Sequence, residues 1–167
     1  VVAWFEQCYR SSAGYHAEIA AIHSSAAAVE PAAVEDLGDL GARSDAAHKA
    51  QGILQRLSGL DQAASPPLIS VVVPVYNHYD YLAGCLESLG DQGDVAFEIV
   101  CVDDGSPDKR VQELLLLLKG KLPRLKIIIQ PENAGISHVQ NLAAESASGE
   151  FLAFLDCDDA LMPGALA

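Results

Sequence analysis

ISVVVPVYN (69–77) is a continuous apolar, largely β-branched run that ends in polar, turn-forming residues. A strand of this composition implies cover on both faces, as in a parallel sheet lying between helices. Two later stretches have the same form, FEIVCVDDGSPD (97–108) and FLAFLDCDDALMP (151–163). Between them the apolar period becomes helical. Tyr79, Leu82, Leu86 and Leu89 share one face of a helix expected over 79–89. Residues 107–119 predict a second helix, with Ser106 as its N-cap. LKIIIQ (125–130) reads as a third strand, 135–148 as a third helix and 149–156 as a fourth strand. Strands alternating with helices mean βαβ units and a mostly parallel sheet flanked by helices, an α/β fold. Ligands of such sheets bind outside the carboxyl ends of the strands, so the polar strand ends share one functional edge.

The chain ahead of Leu68 has another character. Phe5, Cys8, Ser12, Tyr15, Ile19, Ile22, Ala26 and Val29 recur at spacings of 3 and 4, a helical stripe that Pro31 ends. Residues 30–42 read as a loop. Ser44 or Asp45 is the expected cap of a second helix, with Ala46, Ala50, Ile53, Leu57 and Leu60 on one face. The pair suggests an αα-hairpin. So small a pair buries too little surface to stand alone, so its stripes should pack on each other, on the following domain or on a second chain, which makes self-association an expectation. DQAASPP (61–67) is a linker by composition. The expected organisation is a helical region at 1–60, a linker at 61–67 and an α/β domain at 68–167.

The 167 residues carry a formal net charge of −13, and from residue 66 onward 6 basic side chains face 15 acidic ones. So acidic a surface is a poor host for a nucleic-acid backbone, which excludes that class of partner. A phosphate-bearing ligand would need a cation to bridge the like charges. Cys8, Cys85, Cys101 and Cys157 form no C-x-x-C pair and read as reduced thiols of a cytoplasmic protein. The cytoplasmic face of a membrane is compatible with that placement. No run approaches the roughly 18 apolar residues of a membrane span. The amino-terminal residues lack the features of a signal peptide. The chain begins without Met and reads as a piece of a longer protein.

Chemistry concentrates at the strand ends. Asp156, Asp158 and Asp159 follow a buried run directly. Three carboxylates on one short turn repel one another, and Mg2+ and Mn2+ favour carboxylate oxygens with bridging phosphates. A solvated acidic turn is the bland alternative. Asp103-Asp104-Gly105-Ser106 offers a carboxylate to a base or sugar, or is an ordinary strand-to-helix turn. Pro74-Val75-Tyr76-Asn77 is a strand terminus, or a shaped wall on which a flat ring rests against Tyr76. Asn133-Ala134-Gly135 precedes a helix whose free N–H groups suit an anion, or serves only as its cap. The five histidines show no metal spacing; His16 and His23 lie seven apart, which fits solvent or helix packing.

VVVPVYN, IVCVDDGSPD and ENAGISHVQNLAAESASGEFLAFLDCDDALMP together resemble the nucleotide-sugar-binding half of a family 2 glycosyltransferase with the GT-A, Rossmann-like fold, over about residues 68–167. The resemblance implies an inverting transferase that moves a sugar from a nucleoside diphosphate sugar, UDP-linked, to a hydroxyl of a glycan, lipid or protein acceptor, with Mn2+ or Mg2+. Pro74 and Tyr76 would flank the base beside Asn77. Asp104, with Asp103, would hydrogen-bond the base, and Asn133 and Gly135 would join the donor site. Asp156 and Asp158 match the family's D-x-D element, Asp158 on the metal, Asp156 on the ribose or in support of the metal, and Asp159 as an alternative ligand. The family's N-x-G-x-S-x-x-R-N block departs here, with Gln140 where Arg is common. The family's catalytic base lies downstream of D-x-D, so none is assigned within the chain. The competing readings are a nucleotide- or metal-binding module without turnover and an interaction fragment dominated by the helices.

Overall fold

The computed structural model describes residues 40–60 and 66–167. The stripe from Phe5 to Val29, with His16 and His23, lies outside the described residues, as do positions 61–65 of the expected linker. The elements run α1 (Leu40–Arg56), β1 (Ile69–Val75), α2 (Tyr79–Ser88), a 3-10 turn (Leu89–Asp91), β2 (Phe97–Asp103), α3 (Lys109–Leu118), β3 (Leu125–Ile129), α4 (Ile136–Ser146) and β4 (Phe151–Phe154). The strands form one parallel sheet in the order β3-β2-β1-β4.

Side-chain alternation divides the core in two. Val71, Val73 and Val75 of β1 and Phe97, Ile99 and Cys101 of β2 join a large cluster with α1, α2 and α3. Val72, Val100 and Val102 point the other way, onto Val139, Leu142 and Ala143 of α4. Cover on both faces is why β1 and β2 carry no polar alternation, whereas β4, expected to be buried, is an edge strand whose Phe151, Leu152 and Phe154 are exposed. The leucine run of α3 sorts at helical spacing: Leu114, Leu115 and Leu118 are buried, whereas Leu116 and Leu117 reach the surface.

α1 presents the expected face, with Ala46, Ala50, Ile53, Leu57 and Leu60 all buried. It packs on α2 and α3 and contributes to the same core cluster as the sheet. Neither Ser44 nor Asp45 caps it, because the helix begins at Leu40. Asp45 instead accepts a hydrogen bond from the Tyr79 hydroxyl at 2.7 Å. The Tyr79 ring in turn lies under the Lys49 ammonium and the Arg110 guanidinium, at 4.3 and 4.5 Å from its centroid, so α1, α2 and α3 meet at one aromatic ring.

Pro74 sits in β1, which lies between β2 and β4. The Val72 carbonyl accepts from Leu155 N–H on the β4 side, and the Val75 carbonyl accepts from Asp104 N–H on the β2 side. By alternation, the nitrogen of Pro74 faces the β4 side, where pairing has already stopped at Val72. The missing donor therefore costs no ladder bond.

A buried polar cluster ties the start of β4 to β1 and β2. Ser70 and Glu98 are register partners. Glu98 accepts from Ser70 Oγ at 2.6 Å, Ser148 N–H at 2.5 Å, Ser148 Oγ at 2.8 Å and Lys126 Nζ at 2.9 Å. Ser70 Oγ also accepts from Gly149 N–H at 2.8 Å. A Cβ on Gly149 would stand 2.6 Å from the backbone nitrogen of Ser70, so only glycine permits this approach. Among the described residues no helix is long and apolar enough to cross a membrane.

Candidate functional site

A cavity of about 260 Å³ opens at the carboxyl ends of β1, β2 and β4. It lies where the strand order reverses: β2 and β3 follow to one side of β1, and β4 returns to the other. That reversal is the ligand-binding position of open parallel sheets. Pro74 and Tyr76 supply one wall, Asp104, Asn133, Gly135 and Ile136 the second, and Asp156 to Asp158 the third. Tyr76 is 44% exposed.

Asp104 follows the last residue of β2 and holds the second wall. Its Oδ1 accepts from Ala134 N–H at 2.8 Å and its Oδ2 from Gly135 N–H at 3.0 Å. The 133–135 loop is thus gathered onto a carboxylate that also borders the cavity. Gly105, at φ +65, turns the chain so closely against this loop that a Cβ would meet the Glu132 carbonyl carbon at 2.6 Å.

Asp103 has the opposite orientation and does not line the cavity. It continues the face of Phe97, Ile99 and Cys101, is fully buried, and takes the hydroxyl and N–H of Ser106 on Oδ1. Burial pushes its carboxyl above the usual range against the pull of those bonds. Ser106 is therefore occupied and does not cap α3. The cap is Asp108, whose Oδ1 accepts Arg110 N–H at 3.0 Å, so α3 starts at Lys109 rather than at 107. Asn77 also lies off the cavity. Its N–H donates to Ser106 Oγ at 2.8 Å and its Oδ1 accepts Asp108 N–H at 3.2 Å, which staples the β1–α2 turn to the β2–α3 turn.

The acidic turn is held at both ends. Cys85 Sγ donates to the Asp156 carbonyl at 3.6 Å. Past the turn, Leu161 N–H donates to Ser88 Oγ at 3.1 Å, and the buried amide of Gln92 donates to the Met162 carbonyl and accepts from Leu166 N–H, both at 3.2 Å. Cys157 is buried between exposed Asp156 and Asp158, and burial raises both thiols, that of Cys85 to about 12. Asp156 and Asp158 border the cavity and exposed Asp159 stands outside it.

Three carboxylates therefore border one cavity, and among the described residues no lysine or arginine lines it. Gln140, on α4, is likewise not among its lining residues. Sequence reasoning missed His78, Ile136, Val139 and the inward face of Cys157. Asn77 and His78 have φ of 62 and 55. Left-handed tolerance of Asn and His was the available signal for a tight turn there.

Among the described residues no group of three or more His, Cys, Asp or Glu is arranged to hold a metal ion by itself. The donor set still fits Mg2+ or Mn2+, which are held by one or two carboxylates and completed by phosphate oxygens and water. Asp156 and Asp158 are exposed at the cavity and available for that role.

An all-parallel, Rossmann-like sheet with an acidic turn closing its switch point is a GT-A fold. The chain belongs to glycosyl transferase family 2, which residues 70–167 match. An uncharacterized glycosyltransferase of Haemophilus influenzae is 38% identical over 93 residues, 56% of this chain and 37% of that protein. A chondroitin synthase of Pasteurella multocida is 37% identical over 100 residues, 60% of this chain and 10% of the synthase. The chain thus spans well under half the length of these relatives. The structure of S. aureus TarS 1-349 in complex with UDP-GlcNAc is 37% identical with a TM-score of 0.52, covering 59% of this chain and 28% of that one. The mannosyltransferase PcManGT from Pyrobaculum calidifontis, in complex with GDP-Man and Mn2+, shares the fold at 21% identity and a TM-score of 0.50, covering 71% of this chain and 40% of that one.

Proposed function

We propose that this chain is the donor-binding part of an inverting, metal-dependent glycosyltransferase that uses a UDP-linked sugar. The observation that carries the reading is a switch-point cavity bordered by Asp104, Asp156 and Asp158 with, among the described residues, no lysine or arginine in its lining. A diphosphate can enter such a cavity only with a cation between the like charges. The likeness to S. aureus TarS 1-349 in complex with UDP-GlcNAc supports a uridine donor.

The residues divide the work. Tyr76 offers a ring face to the base and Pro74 the edge of the wall. Asp104 fixes the 133–135 loop and presents its remaining lone pairs to the base or ribose. Asp158 and Asp156 would hold the cation, and Asp159 steadies the turn by donating its N–H to the Asp156 carbonyl at 3.0 Å. When bound, the cation offsets the negative charge that builds on the departing diphosphate. Inversion requires a base that takes the proton of the acceptor hydroxyl. The resemblance to the family implies that this base stands downstream of the D-x-D element, and no residue of this chain is assigned to it.

Calorimetry with UDP-sugars and GDP-sugars tests the reading. The expected result is binding with Mn2+ or Mg2+ and none in excess chelator, with Asp158→Ala losing more affinity than Asp156→Ala. Unchanged affinity without a divalent cation would refute it.

A further inference from the structure

Among the described residues, His78 is the one imidazole that borders the cavity. It occupies the N-cap position of α2, yet its side chain makes no capping hydrogen bond. The left-handed turn at Asn77 and His78 carries the ring across to the acidic turn, where Nδ1 stands 4.0 Å from Asp158 Oδ2. Both side chains are about half exposed, at 49% and 50%. The ring also tilts against Tyr81, with centroids 6.2 Å apart.

A separation of 4.0 Å is too long for a hydrogen bond, which needs about 3.2 Å or less. It leaves room for one divalent ion that both side chains would hold. We propose that His78 is a nitrogen ligand of the divalent cation, together with Asp158. This inference rests on the cation–diphosphate reading of the cavity and adds a ligand from the β1–α2 turn to those of the acidic turn. It has a consequence for metal choice. Carboxylate and water oxygens serve Mg2+ and Mn2+ alike, whereas imidazole favours transition metals. The site should therefore prefer Mn2+ to Mg2+, and His78 should be the origin of that preference.

The test uses the full chain with UDP, and in parallel GDP, titrated with Mn2+ and with Mg2+. Calorimetry gives the affinities, and electron spin-echo spectroscopy of bound Mn2+ reports whether a nitrogen is coordinated. Two variants keep a side chain that tolerates the left-handed backbone: His78→Asn, and His78→Asp, which restores a hard oxygen ligand. The expected result is a nitrogen signal in the native protein that disappears in His78→Asn, with about a tenfold loss of Mn2+ affinity and a much smaller loss for Mg2+. His78→Asp should recover binding with the preference shifted toward Mg2+. A native Mn2+ spectrum without nitrogen coupling, or equal losses for both metals in His78→Asn, overturns the assignment while leaving the cavity reading intact. Nucleotide binding that ignores metal, or that fails at every Mn2+ concentration, overturns the cavity reading and this inference with it.

Discussion

Replacing Glu98 by glutamine removes one charge from a buried cluster while keeping its shape. Four donors converge on this carboxylate, from Ser70, Lys126 and twice from Ser148. Burial alone would raise its pKa; the hydrogen bonds from Ser70, Lys126 and Ser148 reverse that and lower it from 4.5 to about 2. A group depressed on folding stabilises the native state above its unfolded pKa and loses that contribution as pH falls through the folded value. The window is therefore about 4.5 down to 2. The shift corresponds to about 3 kcal/mol at neutral pH, falling to about half of that near pH 3. Glutamine also turns an NH2 group toward one of the donors, which adds to the loss. Urea unfolding of both proteins at pH 7 and pH 3 measures the difference. A gap of about 3 kcal/mol at pH 7 that narrows at pH 3 is expected. A gap below about 1 kcal/mol, or one independent of pH, would refute the argument. Because Ser148 and Gly149 lead into β4, the same variant should lower nucleotide affinity at the far end of that strand.

Two shorter predictions concern the second wall of the cavity. Gly105→Ala should destabilise the protein by about 2 kcal/mol or more, since a left-handed backbone and a Cβ at 2.6 Å from the Glu132 carbonyl carbon must both be accommodated; an unchanged melting temperature would contradict the close approach. Asp104→Ala should leave the chain folded but weaken UDP binding by about 1.5–3 kcal/mol, the worth of a charged hydrogen bond, as read by calorimetry beside a melting curve; an unchanged dissociation constant would reduce Asp104 to a turn residue.

The strands were legible because a β-branched run covered on both faces has no other economical home, and β1 and β2 fall where ISVVVPV and FEIVCVD stand. The helix starts were less so. Ser106 and Asp108 are both good caps on paper, and the choice was made by Asp103, which captures Ser106 from within the buried strand. α1 runs through Gly41, which composition assigns to a loop; its burial on α2 and α3 offsets the propensity cost. Pro74, Tyr76, Asp104, Asn133, Gly135, Asp156 and Asp158 share one cavity, as their places at strand ends suggested, while Asn77, Asp103 and Asp159 stand outside it. The parity of β2 could have separated Asp103 from Asp104, since every second residue from Phe97 faces the three helices. His78 had no periodic or spaced partner in sequence; only the fold brings it to Asp158.

The fastening of the acidic turn has a kinetic side. A wandering loop would have to be gathered when a ligand arrives, at about 0.5–1.5 kcal/mol for each side chain brought to rest. Here Cys85 grips the turn at its start, and Ser88 and Gln92 hold the segment behind it. That ordering was completed when the chain folded, and the seat is ready before anything reaches it. Capture at this edge of the sheet should therefore run at the pace of diffusional encounter, set by charge and ionic strength, rather than at the slower pace of a loop that must first find its shape.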